Sequence, residues 1–140
     1  MRPDRIILGE VRGEEAFDLL QVMNTGHDGS MCTLHANSTA EALSRVENLF
    51  LYAGYDVPLR AVRSQICSAV DFIVQLEKSR DGKRIVSQVA EVSNMESETI
   101  LLQDIGRVGD TGMLEFTGLV PKRIATLMDH GLSSDFFVDF

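Results

Sequence analysis

Cysteine is scarce in this chain: there are two, Cys32 and Cys67, and neither stands in a C-x-x-C pair. Two reduced, partly buried thiols of a cytoplasmic protein are the expected state. Cations are scarce as well. Lys and Arg number 13 against 21 Asp and Glu, a net charge of −8. Nucleic acid and anionic lipid both demand clustered Lys and Arg, so the chain as a whole is not built to grip either, although local basic patches stay open. No apolar run approaches the ~20 residues of a spanning helix. The opening Met1-Arg2-Pro3-Asp4 has nothing of the apolar run and cleavage site of a signal peptide.

What is present is enough apolar sequence for a packed core. Of 140 residues, 44% are hydrophobic and 24% charged, which fits one domain or part of a larger one. Strand-like sequence begins almost at once, at Ile6, and this abrupt start leads us to expect further chain upstream.

Ile6 to Val11 reads as a short buried strand. Glu14 and Glu15 open a helix striped by Ala16, Leu19, Leu20 and Met23 and ended by Asn24-Thr25-Gly26. Met31 to His35 reads as a second strand, with Cys32 and Leu34 on one face and Thr33 and His35 on the other. Ser38 and Glu41 form a capping box for a helix striped by Ala42, Val46, Leu49, Phe50 and Ala53 and stopped by Gly54. Pro58 suits the first turn of a helix facing inward through Leu59, Val62, Ile66, Ala69 and Val70. The spacing then predicts strands at Phe72–Leu76 and Arg84–Val92 around an Asp81-Gly82 turn, with a further strand over Thr99–Gln103. Residues 106–112, "GRVGDTG", read as a flexible connection, Met113–Thr117 as an edge strand, and Pro121–His130 as a last helix closed by Gly131. The tail "SSDFFVDF" either docks on a neighbour or marks a ragged end.

The stretch with chemistry is "RIILGEVRG", Arg5 to Gly13, where an apolar run ends in the carboxylate of Glu10. In parallel α/β sheets, ligands bind at the carboxyl ends of strands. An acid held there can contact Mg²⁺ through water or orient the water that attacks a γ-phosphate. On this segment alone an ordinary buried strand ending in Glu explains as much. The run "TGHDGSMCTLHANS", Thr25 to Ser38, adds His27 and His35 on either side of a short strand, with a tight polar loop before it. A histidine there can serve as a hydrogen-bond donor to phosphate.

With these residues in view, "RPDRIILGEVRG" followed by "AFDLLQVMNTGHDGSMCTLHANS" resembles the Walker B strand and histidine box of the secretion ATPase superfamily. Its members are the hexameric RecA-like motors of type II and type IV secretion and type IV pili. The onward sequence through "RIVSQVAEV" most resembles the CpaF-type branch that drives Tad (Flp) pilus assembly. The resemblance covers residues 1 to about 105 and thins past Gly106. It implies an α/β fold, a partial RecA-like P-loop NTPase core in its Walker B half with a β-rich C-terminal segment. Residues 1–105 would form the C-terminal half of the ATPase domain and residues 106–140 a hairpin and helix extension.

The resemblance also implies the site. Glu10 matches the Walker B glutamate, the Mg²⁺- and water-positioning acid, and His27 and His35 match the two histidines expected near the γ-phosphate or the subunit boundary. Arg12 matches the arginine after that glutamate, expected to hold the site or reach toward phosphate. The cofactors would be ATP and Mg²⁺. The intact protein would be a hexamer working with inner-membrane pilus or secretion platform proteins, cytoplasmic and peripheral to that membrane, with no nucleic acid bound. The phosphate cradle G-x-x-x-x-G-K-[ST] is absent. The three lysines are Lys78, Lys83 and Lys122, and only Lys83 follows a glycine, with Arg84 where Ser or Thr is required. The expectation is therefore the C-terminal part of a motor powered by ATP hydrolysis, inactive by itself. The alternative is a non-catalytic module that docks on a full-length secretion ATPase. On either reading, a sheet edge left unpaired beside Ile6 to Val11 is expected to make the isolated chain self-associate.

Other constellations carry less. Cys32 and His35, three apart on a strand, point to opposite faces, and "HDGS" lacks a nucleophile elbow. The glycines at 106, 109 and 112 are wrongly spaced for a dinucleotide loop. Arg60 and Arg63 read as a solvated helix face or a contact to a neighbouring subunit, and His130 as a partner for a helix dipole.

Overall fold

The computed structural model describes residues 3–138. The chain divides into two compact units: residues through Asp71 together with Met95–Ile100, and Phe72–Asn94 together with residues from Leu101 on.

The first unit begins with β1 (Ile7–Leu8), α1 (Glu15–Met23) and β2 (Met31–Cys32), followed by α2 (Thr39–Tyr52) and α3 (Leu59–Ala69). The two strands run parallel, Ile7 beside Met31 and Leu8 beside Cys32. Both are shorter than the apolar runs predict, and Ile7 and Met31 are 72% and 59% exposed, so β1 is not the buried strand expected. The shortening has a physical cause. The ladder runs from Met31 N–H to Ile6 C=O and from Thr33 N–H to Leu8 C=O, but the next bond comes from Val11 N–H to Thr33 C=O, one residue late. Gly9 and Glu10 absorb the extra residue as a bulge, and the Thr33 hydroxyl donates to the Gly9 carbonyl beside it.

The three helices pack on one another. Ala16, Leu19 and Leu20 from α1, Ala42, Leu43 and Phe50 from α2, and Val62 and Ile66 from α3 are buried together with Val11. Each large aliphatic side chain among them contributes roughly 1.5–3 kcal/mol on burial. Phe17 stands edge-on to Phe50 at 5.5 Å and stacks on Tyr55 at 4.3 Å. Ser38 caps α2 by accepting from Glu41 N–H at 3.1 Å. The reciprocal half of the expected capping box differs: the Glu41 carboxylate accepts from the Asn37 backbone and side chain, not from Ser38 N–H. Pro58 sits at the N-cap of α3, a position that asks for no N–H. Arg63 does not lie on a solvated face. Its guanidinium forks onto the Glu47 carboxylate at 2.8 and 3.1 Å and donates to Glu98 C=O at 2.6 Å.

The second unit is built on a four-stranded sheet in the order β3 (Phe72–Lys78), β4 (Arg84–Glu96), β5 (Thr99–Val108) and β6 (Leu114–Phe116). The Asp81-Gly82 turn forms as expected, with Gly82 at φ +85°. β5 runs on through Gly106, because 106–108 pair with Leu114–Phe116, so the flexible stretch shrinks to a tight turn near Gly109–Met113. A short helix, α4 (Ile124–Asp129), ends in a Schellman motif: Gly131 N–H bonds Met128 C=O and Leu132 N–H bonds Leu127 C=O. The tail neither projects nor frays over its described length. Phe137 is buried against Phe116 and Phe136, with ring centres 5.4 and 5.2 Å away. Asp139 and Phe140 lie outside the described residues.

Candidate functional site

The bulge at the end of β1 decides where the acid points. Glu10 and Arg12 are two apart on extended backbone and so share a face. Arg12 Nη2 lies 2.5 Å from Glu10 Oε2. On the neighbouring strand, Thr33 and His35 are exposed while Cys32 and Leu34 are half-buried, the alternation expected from the sequence. His35 therefore reaches the same face, and its Nε2 lies 3.0 Å from Glu10 Oε1. Each oxygen of Glu10 thus has its own partner. The Glu10 side chain is only 25% exposed, whereas those of Arg12 and His35 are 75% and 81% exposed. The acid is held in place beneath two accessible nitrogen groups.

The charges follow from this arrangement. The hydrogen bond from Arg12 holds the Glu10 carboxyl below its ordinary range. Partial burial opposes that, and the charges of Arg12, His35 and Arg45 reinforce it. The same bond raises Arg12.

His27 occupies a different place. It opens a turn in which Ser30 N–H bonds His27 C=O at 3.2 Å, with Gly29 at φ +80°, the pattern of a type II turn. Ser30 Oγ donates to His27 C=O at 2.7 Å and accepts from Ile6 N–H at 3.0 Å, which pins this loop to the start of β1. Glu10 follows the opposite, carboxyl end of that strand. No hydrogen bond or ion pair among the described residues joins His27 to Glu10, and His27 Nδ1 is buried without a hydrogen-bond partner.

The structure thus brings Glu10, Arg12 and His35 together and leaves His27 at the amino end of the strands. It also adds residues that sequence reasoning passed over. Thr33 and Ser30 fix the strand pair through hydroxyl bonds to Gly9 C=O and Ile6 N–H. Arg45 lends its charge from α2. Glu15 turns its carboxylate back onto Arg12 N–H and Gly13 N–H, bonds that lower its own pKa. An acid in a first helical turn was visible in the sequence; the backward reach was not. A cleft lined by Arg12, Gly13, Leu49 and Tyr52 lies beside the arginine.

A single half-buried carboxylate with an arginine and a histidine beside it suits one kind of metal contact. Mg²⁺ is commonly held by one or two carboxylates, substrate phosphates and water. Among the described residues no group of three or more His, Cys, Asp or Glu is placed to hold a metal ion, so the donor set fits a shared, water-mediated contact and not an all-protein cage.

Comparison with known proteins identifies the family. The family described as "Type II/IV secretion system protein" matches residues 1–130. A Mycobacterium tuberculosis protein named for conjugal transfer is 38% identical over 118 residues, covering 81% of this chain and 33% of the relative. The conjugal transfer protein TrbB of Rhizobium radiobacter is 44% identical over 85 residues, covering 61% of this chain and 25% of TrbB. Among solved structures, the VirB11 ATPase of the Brucella suis type IV secretion system, in complex with sulphate, has a TM-score of 0.60 and 34% identity. It covers 65% of this chain and 28% of its own. The mixed α/β architecture expected from the sequence, part of a RecA-like ATPase fold, is borne out by that likeness. The chain spans about a third or less of the length of these relatives.

Proposed function

The chain belongs to the type II/IV secretion system protein family, and from that premise we propose that it supplies the acidic strand end of an ATP-hydrolysing secretion motor. The observation that carries this reading is the clasp on Glu10, one oxygen to Arg12 at 2.5 Å and the other to His35 at 3.0 Å. A carboxylate held so, at the carboxyl end of a parallel strand, supports contact with a magnesium-bound triphosphate. Glu10 would contact the ion through water, and the ion would neutralise charge on the phosphates. Arg12 and His35, both accessible, are the groups that would turn to phosphate oxygens. His27, away from Glu10, suits the subunit boundary better than the phosphates.

The sequence contains no G-x-x-x-x-G-K-[ST], so the phosphate cradle has to come from other chain, and this polypeptide alone is expected to release no phosphate from Mg-ATP. Assembly as a hexamer, work on an inner-membrane platform from the cytoplasmic side, and a place in Tad-type pilus assembly are finer parts of the same proposal. The relatives named for conjugal transfer make a conjugal transfer system the competing assignment. A second reading, a non-catalytic module docking on a full-length secretion ATPase, is favoured by one feature: β1 pairs with β2 alone among the described residues, leaving its other edge open.

The test grafts this chain in place of the matching segment of the Brucella suis VirB11 ATPase and measures phosphate release from Mg-ATP. Turnover is expected in the chimaera, with a fall of about 10²-fold or more on Glu10→Gln. A chimaera that hydrolyses ATP equally well with Gln at position 10 would rule the proposal out.

A further inference from the structure

Glu15 opens α1, yet its carboxylate reaches backward out of the helix. Its Oε1 accepts from Arg12 N–H at 2.6 Å and from Gly13 N–H at 3.0 Å. Both donors lie on the short segment that leaves the bulge and carries Arg12. Gly13 fits closely under the fold-back, since a Cβ there would lie 3.1 Å from Glu15 Oε2. Glu14, one residue earlier, makes no side-chain capping bond.

We propose that Glu15 is a positioning residue for the site: by gripping the amides of Arg12 and Gly13 it fixes the backbone from which Arg12 reaches Glu10. The proposal rests on the functional reading above for what Glu10 does; the relay from Glu15 through Arg12 to Glu10 belongs to the chain itself. An arginine side chain has several free torsions, and an exposed ion pair launched from a free loop contributes little. With its Cα anchored, the same guanidinium loses less freedom on binding. Backbone bonds to a carboxylate are charge-assisted, roughly twice as strong as neutral ones, so two of them on adjacent amides make a firm anchor. Sequence spacing supplies the reach. Arg12 precedes Glu15 by three residues, and the turn into α1 brings the amide back over the first helical side chain.

The test follows the Arg12 guanidinium N–H resonances by ¹⁵N NMR in the whole chain. In the wild type, pairing with Glu10 slows guanidinium rotation and solvent exchange, so a resolved Arg12 signal is expected, lost on Glu10→Ala, which leaves no acceptor. Glu15→Ala is expected to lose it as well. Glu15→Gln keeps an oxygen that accepts both amides and is expected to retain it. Glu15→Asp keeps the charge at the helix start but is one methylene short, so it too should lose the signal. That variant decides the question if Glu15→Ala fails to fold by far-UV circular dichroism. An unchanged Arg12 signal in a folded Glu15→Ala or Glu15→Asp overturns the proposal, and so does its loss in Glu15→Gln. An unchanged signal in Glu10→Ala overturns it together with the pair behind the functional reading. Failure of the functional reading alone shows elsewhere, as turnover in the chimaera that survives Glu10→Gln while the Arg12 signal behaves as expected.

Discussion

Glu10 and His35 meet across the open end of the β1–β2 pair, carboxylate oxygen to imidazole Nε2 at 3.0 Å. Their meeting depends on the extra residue that Gly9 and Glu10 insert before Val11 rejoins Thr33. An unbulged ladder would place residue 10 in register and turn the next side chain toward the histidine.

The clasp has a consequence in acid. Glu10 is held below the ordinary carboxyl range chiefly by its hydrogen bond from Arg12, and Glu15 by backbone N–H groups, Arg12 first. A depressed folded-state pKa stabilises the fold above the unfolded value, about 4.3 for Glu, and that stabilisation is lost as pH falls through the folded value. Urea midpoints of the wild type should therefore fall more steeply below about pH 4.3 than those of Glu10→Gln. Parallel curves for the two proteins would contradict the assignment.

Arg63 binds more than its place on α3 suggests. It forks onto Glu47, whose side chain is 14% exposed, and caps the carbonyl of Glu98. Truncation leaves a largely buried carboxylate without its cation, so Arg63→Ala should cost about 2 kcal/mol. Arg63→Lys restores the charge but not the planar fork and should recover only part of that. Chemical denaturation reads both. A loss within about 0.5 kcal/mol for Arg63→Ala would place the residue on the solvated face that its sequence position implies.

Features set by nearby residues were legible in the sequence, and features set by distant ones were not. Ser38 caps α2 because a hydroxyl three residues before Glu41 N–H meets it wherever a helix starts there. The Asp81-Gly82 turn is likewise local. Arg63 was misread because its partners come from α2 and from the β4–β5 turn, which no periodicity on α3 announces. Gly106 looked like loop because of its glycine neighbours, while its strand state comes from Phe116 across the ladder. At the site, Glu10 stood out as an acid ending an apolar run. The bulge that aims it comes from Thr33, on another strand. The separation of His27 from Glu10 is also tertiary: parallel strands put the loop before β2 beside Ile6, at the far end from the acid.

Ser97 is the only described non-glycine residue with positive φ, at +54° in the two-residue turn between β4 and β5. Such turns favour glycine at a first central position with positive φ. A side chain there costs on the order of 1 kcal/mol. Ser97→Gly removes that cost and gives part of it back through the entropy of the unfolded chain. The expected outcome is a gain of up to about 1 kcal/mol in urea denaturation. A clear loss would mean that the serine hydroxyl contributes more than its backbone strain costs.

Gly29 gives the converse case. At φ +80° it occupies the turn position that a side chain resists, and a Cβ there would stand 2.9 Å from Arg5 Nε. The two costs are separable. The contact is with the far end of a flexible side chain and is cheap to relieve. The dihedral is imposed by the His27–Ser30 turn and is not. Gly29→Ala should therefore cost about 1–2 kcal/mol, and adding Arg5→Ala should recover little of it, with a coupling below about 0.5 kcal/mol in the double-mutant cycle. Gly29→Asn should be milder than Gly29→Ala, because Asn tolerates the left-handed region. The loop also carries Ser30, whose hydroxyl joins His27 C=O to Ile6 N–H. The Ala variant should accordingly expose the Ile6 amide to faster hydrogen exchange, while Val11 N–H, bonded to Thr33 at the other end of the strand pair, keeps its wild-type protection. If Arg5→Ala restores most of the stability, the side-chain contact and not the turn is what requires glycine at position 29.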